Sequence, residues 1–120
     1  MARPATQYFH HEGMNSTLYT FESAGDEIAM HAHNFAHLSI PIKGRFLGYD
    51  GEGREVAFEA GGLPVEFLPD HKHAIRALDD GAVLLNMQRA SPSQTTTVFE
   101  PVVKSVTPNT ANVVKRAIPF

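Results

Sequence analysis

Three of the seven histidines, His31, His33 and His37, fall within seven residues of the stretch GDEIAMHAHNFAHLSIPIKG, which runs from Gly25 to Gly44. Imidazole is the commonest side-chain ligand of first-row transition metals, because the neutral ring offers a lone pair near physiological pH. Alternate side chains of an extended strand share a face, so His31 and His33 can present two rings to one point. His37 keeps the same parity, and a bend after His33 would re-aim it. A fourth candidate, His73, lies in LPDHKHAIRAL, where His71 has equal parity and replaces it if the loop is shifted by two. The chain has no cysteine, which excludes disulfides, thiolate nucleophiles and cysteine-ligated zinc or iron–sulfur sites. Any metal must be held by nitrogen and oxygen.

Positioning these rings requires a folded scaffold, and the composition allows one. With 120 residues, 42% hydrophobic and 19% charged, the chain fits one domain with a single core and no need of staples. A formal charge of -3 and the lack of a basic run exclude a sequence-independent grip on nucleic acid. The opening MARPATQYFHHEG lacks the apolar run of a signal peptide, and no stretch approaches the roughly 20 apolar residues of a membrane helix. The expected location is therefore cytoplasmic, with no membrane partner.

The elements that present the histidines read as short strands separated by Gly, Pro and Asp turns, with no long helical period. Residues 1–14, including His10 and His11, form an arm expected to be mobile or to pair at a sheet edge. Strands are predicted over 16–23, 27–33, 36–42 and 45–50, and Asp50-Gly51-Glu52-Gly53 closes a hairpin between RFLGY and REVAFEA. Further segments follow at 64–68 and 73–78, in the apolar run AVLLNMQ, and in TTTVFEPVV over 95–103. The barrel is expected to occupy 16–100. Residues 104–120 make a tail in which 112–117 is expected to form a helical turn. The class is all-β, a sandwich or barrel.

The spacing Gly25, five residues, His31-Ala32-His33, three residues, His37, six residues, Gly44 resembles the first motif of the cupin superfamily, which usually has glutamate where His37 stands. In the second cupin motif, counted from Gly62, His73 falls at the expected offset. Leu68 occupies the usual proline position, Asp70 the glycine position and Ala77 the asparagine position, while Pro69 sits one place late. The resemblance implies a small double-stranded β-helix, or jelly-roll, barrel around one divalent transition metal (Mn, Fe, Ni, Cu or Zn). It puts His31, His33 and His73 in the three histidine ligand positions and His37 in the carboxylate position.

An all-histidine shell keeps about +2 on a divalent ion by charge counting, whereas one carboxylate would lower it to about +1. Such an ion is a strong Lewis acid, and an anionic chelate such as an enolate, a β-dicarbonyl or a hydroxy acid would offset its charge. The expected function is a metal-dependent enzyme of dioxygenase type acting on a small chelating, enolisable carbonyl compound. The alternatives are a Lewis-acid lyase or isomerase, or a non-catalytic cupin that binds a small molecule. Arg45, Tyr49 and Arg76 are candidates to orient an anionic substrate. Asp26, Glu27, Glu66 and Asp70 are candidate acid or base groups, and Phe35 and Met87 candidate pocket-wall or core residues. No nucleophile motif competes, since GxSxG is absent and Ser39 lacks an acid and base arrangement. A homodimer is expected, built through terminal strands and sheet faces, with TTTVFEPVV and the end AIPF as candidate contacts.

Overall fold

The computed structural model describes residues 2–99 and 118–120. The strands are β1 (Ala5–His11), β2 (Met14–Phe21), β3 (Glu27–His33), β4 (His37–Lys43), β5 (Arg45–Tyr49), β6 (Glu55–Glu59), β7 (Val65–Phe67), β8 (His73–Ala77), β9 (Ala82–Arg89), β10 (Thr96–Val98) and β11 (Ile118–Pro119). They form a six-stranded sheet in the order β1-β2-β9-β4-β7-β11 and a five-stranded sheet in the order β10-β3-β8-β5-β6. Neighbouring strands are antiparallel except β11, which runs parallel to β7. No helix among the described residues is long and apolar enough to cross a membrane.

The strands predicted from 27 to 88 are found with shifts of one or two residues. The expected arm does pair at a sheet edge: it contains β1, which pairs with β2 from Ala5↔Thr20 to His11↔Met14 at the end of the six-stranded sheet. Its turn is made by Glu12 (φ 46°) and Gly13 (φ 81°), two positive-φ residues that suit a tight hairpin but lack the usual Asn-Gly or Asp-Gly signature. The segment predicted over 95–103 is a strand only at 96–98, and its residues 100–103 lie outside the described residues, as does the predicted turn at 112–117.

A single residue, Gly44, carries the chain from β4 in one sheet to β5 in the other. Its φ of 85° is costly for any residue with a Cβ, and a Cβ there would stand 3.1 Å from that of Ala82. Gly48, on the inward face of β5, leaves room for a ring: an added Cβ would lie 3.1 Å from Phe67. The space it frees is used by an aromatic side chain that braces the histidines.

Inward-facing residues change character along the strands. Phe21 and Tyr19 on β2, Leu84 and Ala82 on β9, Ile75 and Ala77 on β8, Phe46 on β5 and Ile28 on β3 belong to one apolar cluster. Further along the same strands, the inward positions are Thr17, Asn86 and Gln88, His73, and His31 with His33, all buried. Phe120 closes the apolar half, 4% exposed, with its ring 5.2 Å from Phe67 in an edge contact. The barrel is therefore filled by apolar packing at one end and by polar side chains at the other.

Candidate metal centre

The polar end brings together all four histidines singled out in the sequence. His31 and His33 come from β3 and His73 from β8, with His31 directly opposite His73 across the strand pair. His37 reaches them from the other sheet, because residues 34–36 form the bend that carries the chain across. Asn34 fixes this bend, donating through Nδ2 to the Ser93 carbonyl at 3.0 Å and accepting from the Thr95 amide at 2.9 Å. One potential ligand atom from each ring lies within 4.8 Å of the others, and all four residues are buried.

Strand β3 reaches this arrangement through an irregularity. Ile28 pairs with Ile75 and His31 with His73, so β3 spends one residue more than β8 over the same interval. Such a bulge reverses the alternation, allowing Ile28 to enter the core while His31 and His33 also face inward. It also frees the Ala29 carbonyl, which accepts from His31 Nδ1 at 2.6 Å.

Hydrogen bonds set which nitrogen of each ring is free. A carbonyl only accepts, so His31 and His73 carry their protons on Nδ1, the latter donating to the His71 carbonyl at 2.9 Å. His33 Nδ1 is 2.9 Å from Thr96 Oγ1. Ser39 Oγ donates to Asn86 Oδ1 at 2.6 Å, leaving its lone pairs towards His37 Nδ1 in a longer 3.5 Å contact. Each Nδ1 therefore has a partner able to accept its proton, which leaves the Nε2 lone pair free to face inward, the outer support typical of metal-ligating histidines.

Burial also keeps the rings neutral. His31 is lowered to about 4 and His37 to about 3, in each case chiefly by loss of hydration. His33 and His73 are driven far below the usual imidazole value, again first by burial and then by repulsion from the neighbouring rings. The Nε2 atoms of His37 and His73 lie 3.3 Å apart. Two ligands of one ion, each about 2.0–2.1 Å from it, are separated by about 2.9–3.4 Å at octahedral or tetrahedral angles. Four neutral nitrogen donors with this spacing fit a divalent transition metal.

The remaining candidates lie elsewhere. His71 is exposed and contributes only its carbonyl, so the alternative register is not used. Arg45 points outward and pairs with Asp79 at 2.8 Å, while Tyr49 and Arg76 both bond Glu27 on the outer face of the five-stranded sheet. They do not line the centre, as their parity opposite the inward Phe46, Gly48 and Ile75 requires. Asp26 accepts from the Ser23 and Ala2 amides, Glu66 lies on the outward parity of β7, and Asp70 is exposed. Among the described residues no carboxylate joins the histidine group. Phe35 does form a wall, with its ring 4.6 Å from that of His33, whereas Met87 has the outward parity of β9. Phe67 stacks on both His73 and His37, with centroids at 4.4 and 5.2 Å.

Comparison with solved structures decides the fold. A cupin-like protein from Thermotoga maritima superposes with a TM-score of 0.69 at 15% identity, over 82% of this chain and 77% of that one. A double-stranded β-helix protein from Klebsiella pneumoniae gives 0.67 at 17% identity, over 82% and 86%. The chain has the cupin fold. A third structure, a DMSP lyase from Ruegeria pomeroyi, gives 0.67 at 16% identity, over 85% of this chain and 54% of the lyase. No protein-family model matches the sequence, and no curated protein does. One departure from the second cupin motif is conformationally silent: Asp70, in the glycine position, adopts φ 64°, the left-handed backbone that glycine takes easily.

Sequence reasoning missed the polar wall formed by Thr17, Asn86 and Gln88. AVLLNMQ reads as an apolar run, yet its inward parity is Ala82, Leu84, Asn86, Gln88, and that alternation was the available signal.

The pKa shifts set a pH dependence for metal-free protein. The folded rings stay neutral down to about 4 for His31 and about 3 for His37, whereas unfolded histidine titrates near 6.5. Between those limits the unfolded chain binds more protons, so stability is full above about pH 6.5 and falls as the pH drops towards 4. The slope is at most about 1.4 kcal/mol per pH unit for each histidine. Urea unfolding of chelator-treated protein is expected to show a markedly lower midpoint at pH 5 than at pH 7.5. Equal midpoints would mean that the folded rings take up protons as readily as those of the unfolded chain.

Proposed function

We propose that this cupin is a metal-dependent enzyme of dioxygenase type that acts on a small, chelating, enolisable carbonyl compound. The observation that carries the reading is the convergence of four neutral imidazoles, with no carboxylate in their group among the described residues. His31, His33, His37 and His73 would hold one divalent metal through Nε2, in the roles that their Nδ1 partners favour. When bound, the metal supplies Lewis-acid polarisation of a chelated carbonyl and a route for electrons to dioxygen. With no carboxylate base in the group, the substrate must be acidic enough to enolise on coordination, which favours a β-dicarbonyl or related compound. Its anionic charge offsets that of the ion. Both oxygen atoms of O2 end in the products, and the electrons come from the carbon–carbon bond that breaks, so no external reductant is needed. Phe35 and Phe67 restrict water around His33, His37 and His73, while the Ser39–Asn86 bond holds the group against which His37 rests.

We also propose that the chain forms a homodimer. The support lies in β1, an edge strand whose seven residues are all exposed, with Tyr8 62% and Phe9 54% exposed on its opposite faces. A strand bare on both faces invites cover by a second copy. Phe120 of the AIPF segment is buried in the chain's own core, which moves the candidate contact to the other terminus.

Protein purified without chelators, or reloaded with iron, is expected to hold about one metal per chain by elemental analysis. The His31→Ala/His33→Ala double variant should lose it while keeping its β-sheet circular dichroism. Oxygen consumption with β-dicarbonyl substrates is the expected activity. Turnover without oxygen uptake would replace the dioxygenase reading with a lyase or isomerase, and full metal content in the double variant would overturn the centre itself. Light scattering at micromolar concentration is expected to give twice the 13.2 kDa chain mass. Phe9→Glu should shift it towards the monomer, and a monomeric parent protein would contradict the dimer.

A further inference from the structure

Gln88 is fully buried, and both atoms of its amide, Oε1 and Nε2, lack any hydrogen-bond partner among the described residues. Burying an amide without partners is costly, and natural interiors seldom tolerate it unless something else supplies the bonds. Gln88 does not sit in the apolar half. It is the last inward residue of β9, beyond Ala82, Leu84 and Asn86, and β9 lies between β2 and β4. The register that pairs Leu38 with Met87 and Ser39 with Asn86 sets Gln88 across from the candidate ligand His37, while Asn15 faces it from β2.

Its polar neighbours are engaged elsewhere. Asn86 accepts from Ser39 at 2.6 Å, and Asn15 Oδ1 is 2.7 Å from His10 Nδ1. His37 Nε2 is directed towards His73 Nε2. A side chain with one acceptor and two donor hydrogens therefore stands unpaired beside the four-histidine group.

We infer that Gln88 is the ligand-recognition residue of this centre, hydrogen-bonding the part of a small oxygen chelator that does not touch the metal. The inference rests on the metal reading above and narrows its substrate class. An amide is neutral, so it adds no charge to the ion's own and selects by hydrogen bonding. Nε2 donates to a carbonyl or enolate oxygen, and Oε1 accepts from a hydroxyl or N–H group. The favoured ligand is a β-dicarbonyl with such a donor next to its chelating oxygen pair, as a β-ketoamide has, and a hydroxamate copies that pattern. A ligand lacking that donor leaves Oε1 unpaired and is discriminated against.

The test uses cobalt(II)-loaded full-length protein and acetohydroxamate, which chelates through two oxygens and offers an adjacent N–H. Binding is followed through the visible spectrum of the cobalt. Gln88→Met, similar in size and without hydrogen-bonding groups, is expected to keep its cobalt and weaken acetohydroxamate about tenfold, while raising the melting temperature of metal-free protein. Gln88→Asn retracts the amide by one methylene and is expected to weaken binding with the fold kept, which covers the case of a poorly folded methionine variant. Full cobalt uptake with affinity unchanged within twofold in both variants would overturn the role of Gln88 alone. So would a lower metal-free melting temperature in Gln88→Met, the mark of an amide bonded within the fold. Failure of the parent protein to take up cobalt would overturn the metal reading and this inference with it.

Discussion

Four imidazole lone pairs held within 4.8 Å of one another, inside a barrel, place a strong demand on the chain around them. Protonated, the rings would repel each other in a space that hydrates charge poorly; neutral, their nitrogens face one another with nothing from the chain to bond. Much of the surrounding structure answers this demand. The Ala29 and His71 carbonyls hold two of the rings in one tautomer, and Thr96 and Ser39 stand at the Nδ1 side of the others. Phe67 stacks against His37 and His73 at once, and Gly48 is bare so that the Phe67 ring has room.

Such a cluster contributes little to folding, and the opposite half of the barrel compensates. Tyr19, Phe21, Phe46, Ile75 and Leu84 pack there with Phe120, and apolar burial of this kind is the main favourable contribution to stability in a small domain. Because single strands pass from one half to the other, each rigid apolar segment positions the polar residues that continue it. Ile75 places His73 two residues away, Leu84 places Asn86 and Gln88, and Tyr19 places Thr17. The price of a preorganised polar pocket is thus met along the same strands that build it.

The histidines were legible in the sequence because their ligand chemistry coincides with the period of a strand: His31 and His33 share a face whatever the strand pairs with. The spacing of Gly25 and Gly44 added the fold. Other features were harder to read locally. Nothing in EIAMHAH announces the extra residue that turns both Ile28 and His31 inward, since a bulge is defined only against its partner strand. His37 was assigned by parity with a bend after His33 in view, and that bend carries it across to the other sheet. Arg45, Tyr49 and Arg76 were selected for charge and hydrogen-bonding capacity, although the parity of β5 and β8 already directed them outward. Asn86 and Gln88 were hidden inside a run whose average character is apolar. Residue type identified the ligands, and pairing between distant strands decided what surrounds them.

X-ray absorption at the metal edge of reconstituted protein tests the central claim most directly, because it counts the nitrogen neighbours of the ion itself. Four imidazole nitrogens at about 2.0–2.1 Å are the predicted inner shell, with the outer-shell scattering that rigid imidazole rings produce and any remaining positions filled by oxygen. A shell dominated by oxygen, or outer-shell scattering that accounts for only one or two rings, would contradict the account.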